Sequence, residues 1–227
     1  MGKRLTLTTR DGKYLSVYEA KPQEQVRGGL VILQEIFGLN SHIRSVCDRF
    51  AEQGWHVLSP ALFDAAEPDV ELAYTAQGIA RGRALKDQVD GRAETDIADV
   101  LNLTDPEMSC GVIGYCWGGS LAWRMACRAP VSSERSIDAA VCYYGGELPA
   151  LSSMTPTCPV MTHFGKKDAS IPLDGVEKFI SAQPEVISHL YDADHGFNCD
   201  QRGQFSAEHA NLARQRTDSF LNKYIGR

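Results

Sequence analysis

The sequence has no apolar run that approaches the roughly 18 consecutive residues a membrane span needs. Its opening, MGKRLTLTTRDGKYL, lacks the apolar stretch of a secretory signal. Nor is there an excess of basic charge. The 23 Lys plus Arg stand against 29 Asp plus Glu, and the formal net charge of -6 repels phosphate backbones and anionic lipid. CxxC pairs, HxxxH or HExxH spacings and Cys/His clusters are all missing, so zinc is not expected. Repeats, low-complexity tracts and long linkers are missing too. These absences argue against a membrane or nucleic-acid partner and a metal site, and leave the cytosol as the expected compartment. Met1-Gly2 with Thr6 matches the outline of an acylation pattern, but Thr6 falls in an alternating segment that reads as a strand.

What is present is ordinary globular composition: 43% hydrophobic and 23% charged residues, with 20 Gly and 10 Pro in 227 residues. That length suits one large domain, here expected over 1–227. The seven cysteines, at 47, 110, 116, 127, 142, 158 and 199, are odd in number and mostly lie within apolar runs. They read as reduced core thiols, with the question of whether one differs from the rest.

Arg4 to Thr9 and Lys13 to Ala20 alternate around Arg10-Asp11-Gly12, which predicts an N-terminal antiparallel hairpin. From Gly29 onward the pattern changes to short continuous apolar runs: LVIL at 30–33, WHVLSP at 55–60, GVIGY at 111–115, AAVCYY at 139–144, PVMTHF at 159–164 and VISHLY at 186–191. Such runs suit strands buried on both faces. Between them lie segments of helical period: Ile43, Val46, Cys47 and Phe50 on one face, a segment from about 70 to 103 ending in a helix with Ile97, Val100 and Leu101, WGGSLAWRMACRA from 117, and stretches near 172–182 and 206–224. The alternation predicts an α/β domain with a mostly parallel sheet and helices on both faces. Right-handed crossovers then gather the strand-to-helix loops on the sheet's carboxyl edge, where ligands bind.

Gly114-Tyr115-Cys116-Trp117-Gly118 sits where a buried strand turns into a helix. This is the context of a G-x-S-x-G nucleophile elbow, with Cys in place of Ser. The helix N-terminus favours negative charge on the sulfur. Asp168 follows the strand ending at Phe164, and His195 follows the one ending at Tyr191, so both should emerge on the same edge as Cys116. The order nucleophile, acid, His is that of α/β-hydrolases. His195 can take the thiol proton and later activate water, while Asp168 orients the imidazole. Asp192 and Asp194 are rival acids but lie too close along the chain to meet the ring edge well. Gln34-Glu35-Ile36-Phe37-Gly38-Leu39-Asn40 follows the first buried strand, where the fold draws one oxyanion-hole amide, so the expected donors are the amides of Ile36 and Trp117. A carboxylate at Glu35 opposes developing negative charge there and calls for a specific role.

QEIFGLN at 34–40, GYCWGG at 114–119, Asp168 and YDADHGF at 191–197 together resemble the dienelactone hydrolase family, best known for carboxymethylenebutenolidase activity. The resemblance implies an α/β-hydrolase fold and a cofactor-independent, monomeric enzyme acting on a small ester or lactone. It makes Cys116, Asp168 and His195 the triad and Glu35 the acid that pairs with the resting thiol. The family substrate carries a carboxylate held by arginines. Four residues after His195, where one such arginine is expected, stands Cys199, and the nearest downstream arginine is Arg202. Arg81 and Arg83 lie in the region that supplies the other, and Arg81 is taken as the expected contact. Alternatives in view are a thioesterase or general carboxylesterase of the same fold, and a thiol redox or binding protein without turnover.

Overall fold

A computed structural model describes residues 2–131 and 134–226; Met1, which opens the acylation-like pattern, lies outside the described residues. The hairpin is present as β1 (Lys3–Thr8) and β2 (Tyr14–Ala20), paired antiparallel, with Thr6 opposite Ser16. There follow β3 (Gly28–Leu33), α1 (Ser41–Glu52), β4 (Trp55–Pro60), α2 (Ala76–Leu101), β5 (Cys110–Tyr115) and α3 (Trp117–Cys127). The chain ends through β6 (Ala139–Tyr143), β7 (Val160–Gly165), α4 (Leu173–Ala182), β8 (Ile187–Tyr191) and α5 (Ala207–Tyr224).

One eight-stranded sheet results, in the order β1-β2-β4-β3-β5-β6-β7-β8. β2 meets β4 antiparallel, and every pair from β4 to β8 is parallel. The fold is that of an α/β-hydrolase, mostly parallel with an antiparallel hairpin at one end. β3, β5, β6 and β7 are buried at every residue, because helices cover both faces of the sheet. Each of Leu30, Val31, Ile32 and Leu33 is 0% exposed; burying side chains of this size stabilises the fold by roughly 1.5–3 kcal/mol apiece.

α1 and α2 begin where short polar side chains cap them. Asn40 accepts the Ile43 amide at 3.1 Å and Thr75 accepts the Gly78 amide at 3.1 Å. α2 is longer than its periodicity predicts, running 26 residues. Its Leu85, Val89, Ala93 and Ile97 form a buried stripe, but its first turns are largely exposed and carry little apolar signal. Among the described residues no helix is long and apolar enough to cross a membrane. Because β3 to β8 run the same way, the loops after β3, β5, β6, β7 and β8 share one edge.

Candidate active site

Cys116 sits between β5 and α3 with φ 55 and ψ -115. That conformation is strained for a non-glycine residue, and the surroundings hold it there. Its amide donates to Tyr143 O at 3.0 Å and its carbonyl accepts the Ser120 amide at 3.1 Å. The flanking glycines are sterically required. A Cβ on Gly114 would lie 1.8 Å from Gly118 O, and one on Gly118 would lie 2.5 Å from Leu33 O. With those atoms absent, the start of α3 packs directly onto the ends of β5 and β3, and the sulfur projects into a cavity of about 210 Å³.

His195 lines the same cavity. Its Nδ1 lies 2.7 Å from Asp168 Oδ2. The other Asp168 oxygen accepts the amides of Ser170 at 2.8 Å and Ile171 at 3.2 Å, which fixes the carboxylate. The rival acids are engaged elsewhere: Asp194 accepts the His195 backbone amide at 2.6 Å, and Asp192 pairs with Lys167 at 2.9 Å. Burial is the largest single influence on the His195 ring and favours its neutral form. The charge of the Cys116 sulfur, the hydrogen bond with Asp168 and a hydrogen bond with Cys116 outweigh it, and the pKa is pushed up to about 10. The ring thus lies between the Cys116 sulfur and the Asp168 carboxylate.

The loop after β3 closes the site from the other side. Gly118 N donates to Gln34 O at 3.0 Å, tying this loop to the start of α3. Among the described residues no backbone acceptor takes the Ile36 amide. Trp117, as the first residue of α3, has an amide with no partner inside the helix. Both residues line the cavity.

Glu35 is 1% exposed. The resemblance implies a contact with the thiol, yet the partner found is Arg202, whose Nη1 donates to Glu35 Oε1 at 3.2 Å. A buried carboxylate gains more from a guanidinium than from a thiol, which explains the choice. Glu35 Oε2 is buried without a hydrogen-bond partner. Arg202 also lies over the rings of Phe37 and Tyr74, 5.6 Å from each centroid, and lines the cavity. Burial, the largest single influence, opposes its charge, and Glu35 together with smaller contributions from Tyr144, Cys116 and Cys199 outweighs it, so its pKa is raised.

Sequence reasoning passed over Arg202 because it looked four residues after His195, at Cys199, which is buried. Successive turns, with Cys199 N bonded to Gly196 O and Arg202 N bonded to Cys199 O, fold the loop back and return the chain to the site three residues later. Glycine at 196, which the structure holds at φ +77, is the residue in the sequence that could have signalled such a reversal. Arg81 lies away from the cavity, in an exposed ion pair with Glu67, whereas Arg83 lines it. On a helix, two positions differ by about 200° of rotation, so only one of these arginines can face the site. Lys86, one turn further along α2, also lines it and pairs with Glu147 at 2.7 Å.

The sequence pattern of the dienelactone hydrolase family matches residues 15–225. A Synechocystis protein assigned as a carboxymethylenebutenolidase is 34% identical over 209 residues, covering 82% of each chain. One from Azospirillum brasilense, with the same assignment, is 34% identical over 233 residues, covering 95% of this chain and 96% of its own. The crystal structure of a chain from Klebsiella pneumoniae assigned as a dienelactone hydrolase superposes with a TM-score of 0.85 at 25% identity, over 99% of both chains. The chain thus belongs to the dienelactone hydrolase family and is a hydrolase of carboxylic esters or lactones.

Proposed function

We propose that this enzyme hydrolyses a small carboxylate-bearing ester or lactone by covalent catalysis at Cys116. The observation that carries the reading is the chain of contacts from the Cys116 sulfur through the His195 ring to Asp168 Oδ2, 2.7 Å from Nδ1, at the wall of one cavity. The sulfur adds to the substrate carbonyl, and the oxyanion is received by the amides of Ile36 and Trp117. Collapse expels the alkoxide, which takes the His195 proton, and leaves a thioester on Cys116. Neutral His195 then draws a proton from water as that water attacks the thioester, and the second collapse restores the thiolate and the imidazolium. Acid and thiol chemistry balance with no cofactor in the sequence of steps.

Arg202 and Arg83 line the cavity and are the groups suited to a substrate carboxylate. An anion that engages Arg202 competes with Glu35 for it. The buried glutamate then serves as a place-holder for the substrate's charge, and the site becomes fully organised only with the right substrate bound. Seven unpaired cysteines support a reducing, cytoplasmic setting for a thiol nucleophile.

Replacing the nucleophile, Cys116→Ala, tests the reading. Turnover of a panel of lactones and aryl esters should fall by at least about 1,000-fold with the thermal unfolding midpoint unchanged, as for other nucleophile deletions. Wild-type mixed with a slow ester should gain the mass of one acyl group. Hydrolysis by the alanine variant at the wild-type rate would overturn the proposal.

A further inference from the structure

α2 runs past both oxyanion donors and touches each of them. At one end, Gly82 packs on the loop after β3 so closely that a Cβ there would lie 1.9 Å from Ile36 O. Two turns later, Asp90 Oδ1 accepts the Trp117 indole N–H at 2.7 Å. Asp90 is itself held by Arg124, whose Nη1 donates to Oδ2 at 2.9 Å. Trp117 is 3% exposed, and its indole stacks on Phe63 at 5.5 Å between centroids and 12° between planes. It therefore has an apolar face fixed by Phe63 and a polar edge fixed by Asp90, and the residue so anchored is the one whose amide follows the nucleophile. Burial pushes the Asp90 carboxyl up, but the hydrogen bonds from Trp117 and Arg124 prevail and keep it ionised, which strengthens its hold on the indole.

We infer that α2 is the positioning element of the oxyanion hole, with Asp90 fixing Trp117 through its indole and Gly82 seating the Ile36 carbonyl, on the same residue as the donor amide. The inference rests on the cysteine mechanism proposed above, and goes beyond it by giving a function to residues that touch neither substrate nor sulfur. Between the two contacts α2 also turns Arg83 and Lys86 toward the cavity. The helix that meets the substrate's charge thus also sets the donors that receive its oxyanion.

The test compares Asp90→Leu, Trp117→Phe, the double variant and Asp90→Asn by steady-state kinetics and by the rate at which iodoacetamide alkylates Cys116. Alkylation uses the sulfur and needs no oxyanion hole, so it separates the hole from the nucleophile. The leucine and phenylalanine variants should each lose about 10- to 100-fold in kcat with KM and alkylation unchanged, in line with a displaced donor. The double variant should lose no more than the worse single one, because both remove the same contact. Asp90→Asn retains an acceptor and should recover most of kcat. Gly82→Ala, whose methyl would lie 1.9 Å from Ile36 O, should show the same loss of kcat in its folded fraction together with a lowered unfolding midpoint. Wild-type kcat in Asp90→Leu and Trp117→Phe, additive losses in the double variant, or a parallel fall in alkylation would each overturn the inference. Activity in Cys116→Ala would instead overturn the mechanism beneath it, so the two failures are distinguishable.

Discussion

The carboxylate of Glu35 and the guanidinium of Arg202 meet at 3.2 Å with side chains only 1% and 11% exposed. Such a pair is costly to break from one side, since the survivor is a buried charge without a counter-ion. Arg202→Leu should lose roughly 3–5 kcal/mol, lowering the thermal midpoint by about 6–20 °C for a chain of this length. Glu35→Gln/Arg202→Leu removes both charges and should recover most of that loss. Equal midpoints for Arg202→Leu and wild type would show that the pair contributes nothing.

The two candidate arginines on α2 should separate by function. Arg83→Ala should raise KM about tenfold for an ester carrying a carboxylate, equivalent to roughly 1.4 kcal/mol, and leave a neutral ester unaffected. Arg81→Ala removes an exposed ion pair with Glu67 and should change neither KM, with stability within about 0.5 kcal/mol of wild type. A KM effect at position 81 and none at 83 would reverse the assignment.

Glycine replacements should divide sharply by environment. Gly114→Ala places a methyl 1.8 Å from the Gly118 carbonyl, in backbone that has nowhere to move, and should cost at least about 3 kcal/mol in urea unfolding. Gly91, on an exposed turn of α2, has nothing within 4 Å of a built Cβ. Gly91→Ala should therefore stabilise the protein by about 0.4–1 kcal/mol, through reduced freedom of the unfolded chain.

Stability should fall on both sides of neutrality, for opposite reasons. His163 is fully buried, bonded to Tyr191 Oη at 2.8 Å and Thr217 Oγ1 at 3.0 Å. Burial, then the charges of His189 and Arg216, hold its pKa well below 6.5. The unfolded chain therefore binds a proton first as pH drops below about 6.5, and the folded state loses stability from there downward. His195 is the reverse case, raised to about 10. Its contribution is complete below about 6.5 and disappears as pH rises toward 10. Denaturation midpoints measured from pH 5 to 10 should show the acid limb eased by His163→Gln. Asp168→Asn, which removes one contact that holds the His195 ring protonated, should flatten the alkaline limb. Limbs identical to wild type in both variants would refute the assignment.

Much of the fold is legible in the sequence, and the parts that are not share a cause. Continuous apolar runs mark β3, β5, β6 and β7 because strands covered on both faces have no polar side to confuse the period. The strained turn at Cys116 is readable because Gly114, Cys116 and Gly118 are local: strain and close approach are written within five residues. Arg202 and Arg83 are harder. Arg202 reaches the site only after two turns whose geometry depends on Gly196, and the choice between Arg81 and Arg83 depends on the rotation of a helix whose first turns have almost no apolar stripe. The Glu35 partner differs from expectation for a related reason: a resemblance transfers residue roles, whereas the ion pair follows from which charge the fold brings within reach.

The burial of the other six sulfur atoms has a practical consequence at the bench. Burial pushes Cys110, Cys127 and Cys199 up to about 11 and Cys158 up to about 12, and also raises Cys47 and Cys142 above the ordinary thiol value. At neutral pH those six sulfurs are almost wholly thiol and therefore poor nucleophiles. A limiting equivalent of maleimide dye should accordingly attach to Cys116 alone, so the unaltered chain already offers a single-site handle for fluorescence or electron-spin probes inside its own cavity.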